Sequence, residues 1–186
     1  MNFLSTHDTE RAITAIAGEP ANGRDRYWQS GRCIPAQKMD DAMRKLLLGY
    51  AMIFTLPGVP CIYYGDEIGM RYIENIPSVE GGYGRTGSRS PMQWDSSVNA
   101  GFSTAPKEKL YIRQDESADR PTAAAQMADE NSLYHEIRRL IAVRQAHTAL
   151  QSKGEIEFVY AEKDAYPLAY LRSSGEERIL VVINPA

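Results

Sequence analysis

Cysteine is scarce: Cys33 and Cys61 are the only two in 186 residues. Neither belongs to a CxxC motif or to a Cys/His cluster with metal-ligand spacing, which argues against a disulfide framework and a zinc site. Both are expected as free thiols in a reducing compartment. His7, His135 and His147 are too scattered to suggest metal ligation, and no metal or other cofactor is expected. No run of ~18 apolar residues is present, so no membrane-spanning helix is expected. Met1-Asn2-Phe3-Leu4-Ser5-Thr6-His7-Asp8 lacks the basic region and long apolar core of a secretory signal. The expected location is therefore cytoplasmic, a reading that residues ahead of Met1 would change. An excess of one charge is also missing. The chain has 21 basic and 24 acidic residues, a net charge of −3, which gives no footprint for nucleic acid. Internal repeats and low-complexity segments are absent.

What is present is an ordinary globular composition, 43% hydrophobic and 24% charged. The length suggests one domain, or a domain with part of another. From Pro35, apolar residues recur at Met39, Ala42, Met43, Leu46, Leu47, Tyr50, Ile53 and Phe54. That spacing predicts a helix with one apolar face, ended by Pro57-Gly58. Its last two turns, Gly49 to Leu56, are apolar nearly all round, so they are expected to be buried on most sides. Val59 to Gly65 is a continuous apolar run and reads as a buried parallel strand. It delivers Asp66 and Glu67 to the strand's exit. The chain opens in a similar way: a short strand, Asn2 to Ser5, then His7 and Asp8, then a short helix over 9–17. In α/β barrels such strand exits face the active site.

Residues 71–130 are too long for an ordinary connection. They hold Met92-Gln93-Trp94 and Phe102 and are expected to be an ordered, irregular loop. A helix is predicted over 131–150, with Leu133, Ile137, Leu140, Ile141 and Leu150 on its apolar face and Arg138, Arg139 and Arg144 largely off it. Asp129 or Asn131 is the expected cap. Strands at 156–160, 168–172 and 179–183, separated by short turns, predict an antiparallel meander. The change of architecture places a domain boundary near residue 151.

The run Phe3-Leu4-Ser5-Thr6-His7-Asp8-Thr9-Glu10-Arg11 resembles the fourth signature region of the α-amylase superfamily of glycoside hydrolases. Residues 57–70, from Pro57 to Met70, look like that family's last barrel strand and its exit. Arg89-Ser90-Pro91-Met92-Gln93-Trp94-Asp95, with Asn99-Ala100-Gly101-Phe102, resembles a block shared by α-glucosidases and trehalose-synthase-like members. The three motifs stand in the family's order, and the resemblance covers nearly the whole chain. It implies an α/β fold: the C-terminal part of a (β/α)8 TIM barrel, followed by the start of an antiparallel β domain. Residues 1–150 would supply the last two βα units with a long loop at 71–130. Residues 151–186 would supply a partial C-terminal β domain. The family's nucleophilic Asp and acid/base Glu belong to regions that precede the first motif. The chain is therefore expected to be the C-terminal portion of an enzyme. Two departures are Thr6, where members often have Asn or Ser, and Ser90, where members with this block usually have Thr.

The implied function is that of a retaining α-glycosidase acting on α-linked glucosides derived from starch or maltooligosaccharides. Such enzymes use two carboxyl groups about 5–5.5 Å apart. By resemblance, Asp8 is a third carboxylate that bonds sugar hydroxyls and supports the transition state, and its charge raises the pKa of the acid/base Glu. His7 would donate to a sugar hydroxyl, and Arg89 would border the sugar site. Without the motif, a His-Asp pair after a strand reads as a loop cap, and Arg89 as a solvated loop residue. Asp66 and Glu67 diverge in direction, being adjacent, and are expected to be structural residues at the rim. Arg11 is expected to hold the His-Asp loop by an ion pair. Trp94 is expected to be packed core, with stacking on a sugar as the alternative. The chain alone is expected to be inactive, because it lacks nucleophile and acid/base. Unpaired strand edges predict self-association. A second reading is a non-catalytic carbohydrate-binding or interaction remnant, which would bind maltooligosaccharides without catalysis.

Overall fold

The computed structural model describes residues 1–17, 19, 20, 32, 33, 39–73, 76 and 85–185. Its elements in chain order are α1 (Ala12–Ala17), β1 (Glu19–Pro20), β2 (Arg32–Cys33), α2 (Met39–Thr55), α3 (Ala123–Ala128), α4 (Leu133–Ala146), β3 (Glu155–Tyr160), β4 (Leu168–Ser174) and β5 (Glu177–Ile183). They fall into two compact units. One comprises Met1–Leu4, Leu47–Cys61 and Glu136–Ala186; the other comprises Ser5–Leu46 and Ile62–His135.

In the first unit the two opening strand candidates pair in parallel at a single bridge, Asn2 with Pro60. Asn2 N–H donates to the Val59 carbonyl at 2.8 Å, and Cys61 N–H donates to the Asn2 carbonyl at 2.7 Å. The rest of the 59–65 run forms no ladder among the described residues. Pro60 has no N–H of its own, so the bonds are made by the residues on either side of it. The Cys61 thiol is free and exposed. The Cys33 side chain lies outside what is described.

The 35–56 helix appears as α2; its expected start at Pro35 lies outside the described residues. Asp40 and Asp41 sit in its first turn, where negative charge favours the helix dipole. In the first unit, Tyr50, Ile53 and Phe54 are buried, whereas Met52 stays exposed. Pro57 forbids continuation, so the last carbonyls of α2 need partners. Two buried guanidiniums supply them. Arg144 donates to the carbonyls of Phe54 (2.5 Å), Leu56 (3.2 Å) and Gly58 (2.6 Å). Arg172 donates to the Thr55 carbonyl and also to those of Gln151 (2.9 Å), Gly154 (3.0 Å) and Glu155 (3.0 Å). The expectation that Arg144 lies off the buried face of α4 is thus corrected: it is 7% exposed, because carbonyls rather than water complete its bonding. Arg138 and Arg139 are exposed as expected.

The three C-terminal strands form the expected antiparallel meander, in the order β3-β4-β5. The register sets Phe158 opposite Tyr170 and Tyr170 opposite Val181. Tyr170 is fully buried, and its hydroxyl lies 2.6 Å from Thr55 Oγ1. Glu177, at the start of β5, closes the turn after α4. Its carboxylate accepts from Ala149 N–H (2.7 Å), His147 Nδ1 (2.7 Å) and Thr148 Oγ1 (2.8 Å).

In the second unit, Ala42 and Leu46 of α2 and Ala12 and Ile13 of α1 are buried. Ile68, Met70 and Met92 form a small core. The cap of α4 is Ser132, whose Oγ accepts from His135 N–H at 3.4 Å, rather than Asp129 or Asn131. Residues 85–130 are ordered by 3-10 turns at Thr86–Arg89 and Lys107–Lys109, by a tight turn at Val98–Gly101 whose Asn99 and Ala100 are left-handed, and by α3, a helix within the loop expected to be irregular. The Thr122 hydroxyl caps α3 by accepting from Ala125 N–H at 3.2 Å.

The Glu177 contacts generate an acid-limb prediction. Donation from Ala149 N–H first, and then from His147 and Thr148, lowers the Glu177 pKa from 4.5 to about 2. A carboxylate with a depressed folded-state pKa stabilises the fold above its unfolded pKa. That contribution is lost as pH falls from 4.5 toward about 2. The gap in thermal midpoint between wild type and Glu177→Gln should be widest above about pH 5 and close toward pH 2. A gap that stays constant on acidification contradicts this.

Candidate functional site

The site is built wholly within the second unit, on the Ser5–Arg11 segment, the turn at 63–70 and the 3-10 turn Thr86–Arg89. Its base is a buried ion pair. Arg11 Nη1 lies 3.5 Å from Asp66 Oδ1, with both side chains sealed from solvent. Arg11 also donates to the Tyr64 carbonyl, and Ser5 Oγ donates to Asp66 Oδ2. The Arg11 guanidinium carbon lies 4.6 Å from the ring centroid of Tyr63 and 4.7 Å from that of Tyr64, so two π faces cover a cation that water cannot reach. Burial pushes the Tyr63 hydroxyl pKa up. The turn needs Gly65 at φ +86°, where a Cβ would stand 2.3 Å from Met70 Sδ.

On this base stands the His7-Asp8 loop. Asp8 N–H donates to Thr6 Oγ1 at 3.2 Å, and Thr6 N–H donates to Thr9 Oγ1 at 2.8 Å. The departure at Thr6 therefore leaves a hydroxyl that accepts the Asp8 amide. Asp8 is 49% exposed and faces two guanidiniums. Arg85 Nη1 lies 2.9 Å and Arg89 Nη2 3.0 Å from the same oxygen, Oδ1. The other oxygen, Oδ2, lies 3.2 Å from His7 Nε2. Arg89 Nε also donates to the His7 carbonyl at 2.9 Å. The arrangement presents an oriented carboxylate and an exposed imidazole at one surface, with cations fixing one edge of the carboxylate.

Of the residues expected from sequence, the structure brings His7, Asp8 and Arg89 together and sets Arg11 and Asp66 beneath them. Glu67 is half-buried beside Asp66, and burial raises its carboxyl pKa, with the Asp66 charge adding to the effect. Trp94 is 51% exposed. It lines a cleft of about 440 Å³ with Arg89, Met92, Phe102, Tyr111 and Ile112. Arg85 was not singled out from the sequence. The available signal was its spacing of four from Arg89, which a single turn can bring to one carboxylate.

The buried pair generates a stability prediction. Arg11→Met strands the Asp66 carboxylate and should cost about 3–5 kcal/mol. Arg11→Met combined with Asp66→Asn should cost less than Arg11→Met alone, since no buried charge remains. Urea midpoints measure both; a double variant less stable than Arg11→Met contradicts the ion-pair account.

The family profile described as "Alpha amylase, catalytic domain" matches residues 1–153. The chain is 35% identical over 154 residues to a protein of Rhizobium meliloti named probable alpha-glucosidase, covering 77% of this chain and 26% of that one. It is also 35% identical over 145 residues to trehalose synthase of Thermus thermophilus, covering 76% of this chain and 14% of that one. Among solved structures, trehalulose synthase MutB from Pseudomonas mesoacidophila matches with a TM-score of 0.71 and 26% identity, over 99% of this chain and 34% of that one. The chain thus spans about a quarter of the probable alpha-glucosidase and a smaller share of the trehalose synthase.

Proposed function

The chain belongs to the α-amylase catalytic-domain family, and on that premise we propose that it carries one part of a retaining α-glycosidase site acting on α-linked glucosides. In this reading Asp8 is the third carboxylate. The observation that carries the reading is the Arg85–Asp8–Arg89 clamp: two cations on one oxygen orient the carboxylate at a half-exposed surface beside His7. A carboxylate so held bonds the hydroxyls of a sugar ring, and the bonds strengthen as the ring flattens toward an oxocarbenium ion. His7 supplies a donor at the same surface, and Arg89 holds both its carbonyl and Asp8.

The two carboxyl groups that make and break the glycosyl-enzyme bond are not assigned to this chain. Asp66 is committed to Arg11 and Ser5 and is sealed from solvent, so it cannot attack an anomeric carbon. Among the described residues, the carboxylate beside Glu67 is that same buried Asp66. The barrel reading belongs to the same proposal: residues 1–150 as the last two βα units and 151–186 as the start of a β domain. The parallel bridge at Asn2 and Pro60 and the antiparallel β3-β4-β5 sheet support it.

The 186-residue chain by itself should hydrolyse no 4-nitrophenyl α-D-glucoside above the buffer rate. Saturable hydrolysis that disappears in Asp8→Asn would show that the chain holds a complete catalytic set.

A further inference from the structure

We propose that the exposed face of the β3-β4-β5 sheet docks a second copy of this chain, face to face, about a two-fold axis that runs along β4. The inference lies wholly in the first unit and does not depend on the glycosidase reading. Residues opposite one another in an antiparallel ladder share a face, so the register sets three rows across the sheet. Tyr160, Ala169 and Val182 form the first row, Glu157, Leu171 and Leu180 the second, and Glu155, Ser173 and Arg178 the third. The opposite face carries Tyr170 and Arg172, both sealed from solvent. On the face with the three rows, Leu180 is 58%, Val182 55% and Tyr160 40% exposed. A sheet with one face committed to a core ordinarily turns polar side chains to water on the other. Here large apolar side chains stand in water together, the mark of a contact surface.

The charges decide what kind of partner fits. Glu155 on β3 and Arg178 on β5 stand at the two ends of one row, with β4 between them. Two strand spacings, about 10 Å, separate them, too far for an ion pair within one copy. Arg178 donates within the copy through Nη1, to the carbonyls of Gly175 (2.6 Å) and Glu177 (3.0 Å). The Ser173 hydroxyl meets Glu155 Oε2 at 3.5 Å. A two-fold axis parallel to the strands exchanges the two edges of the sheet and keeps each row at its own height. Glu155 of each copy then meets Arg178 of the other, twice over by symmetry. Leu171 meets Leu171 on the axis, and Tyr160 meets Val182. The Glu157 carboxylates lie at the two rims, where water reaches them.

The other in-plane axis, across the strands, lays Glu157 on Glu157 and Arg178 on Val182, so repulsion and desolvation disfavour it. A polyanion drawn to Arg178 would be repelled by Glu155 and Glu157. The face is thus complementary to itself, and two such sheets pack about 10 Å apart with their strands nearly aligned. Strands of six or seven residues give a face about 24 Å long. That is below the area of a standard interface, so the dimer should dissociate in the micromolar range.

Sedimentation velocity of the 186-residue chain, from about 5 to about 200 µM, tests this. The expected result is a monomer–dimer equilibrium. Arg178→Glu and Glu155→Arg should each weaken the dimer at least about tenfold by setting like charges against each other. The two together should restore it to within about threefold of wild type, a rescue that a merely structural role would not give. Leu180→Glu should abolish it. The side chains are exposed, and the thermal midpoint of each variant checks that it folds. A monomer at every concentration overturns the proposal. So does a dimer that none of these variants weakens, or one that the double variant fails to restore. Open-ended oligomers that keep growing with concentration also overturn it, because they indicate pairing of the free β3 and β5 edges instead.

Discussion

Arg11 and Asp66 both lose contact with solvent, and a charge moved from water into the interior without a partner costs several kcal/mol. Each ion is therefore tolerable only beside the other. That requirement joins the Ser5–Arg11 segment to the turn that follows Tyr64. The pair is completed by groups from the same two segments: the Ser5 hydroxyl on Asp66, the Tyr64 carbonyl under Arg11, and the rings of Tyr63 and Tyr64 over the guanidinium. His7 and Asp8 are carried between Ser5 and Arg11, so the loop that presents them is anchored at both ends. Only the carboxylate's direction is left to set, and Arg85 and Arg89 set it.

The first unit solves a different problem with the same side chain. A helix stopped by Pro57 leaves carbonyls that no intrahelical N–H can reach. Arg144 and Arg172 answer them with planar, multiply donating groups that lysine lacks. Their bonds reach Phe54, Thr55, Leu56 and Gly58. Arg172 also gathers Gln151, Gly154 and Glu155, so one guanidinium links the end of α2 to the entry of the β3-β4-β5 sheet. A Cβ at Gly154 would stand 2.7 Å from Arg172 Nη2 and 2.1 Å from the Ala149 carbonyl. The absence of a side chain there lets this entry close around the guanidinium.

What could be read from the sequence follows from how local each signal is. The apolar spacing from Met39 to Phe54 and from Leu133 to Ile141 marks helices, because one face repeats within a few residues. The three C-terminal strands were legible from β-rich runs with short turns between them. The burial of Arg144 was not legible, because its reason is a set of carbonyls 86 to 90 positions away. Helix α3, with the sequence AAAQMA, has no apolar period to betray it and depends on the Thr122 cap. In the site, the order of motifs pointed to His7, Asp8 and Arg89. Arg85 stayed hidden in a glycine-rich stretch. Trp94, Phe102 and Tyr111, eight and nine positions apart, follow neither helical nor strand spacing, and only the turns between them bring them to one cleft.

The central claim is that Asp8, clamped by Arg85 and Arg89, is a carboxylate that meets a sugar. The most direct measurement is a crystal structure of the chain grown with α-D-glucose. The account predicts glucose hydroxyls within about 3 Å of the Asp8 carboxylate and of His7 Nε2, with both arginines still on Oδ1. Glucose bound away from Asp8, or a crystal in which the Asp8 surface holds no sugar at saturating glucose, would contradict it.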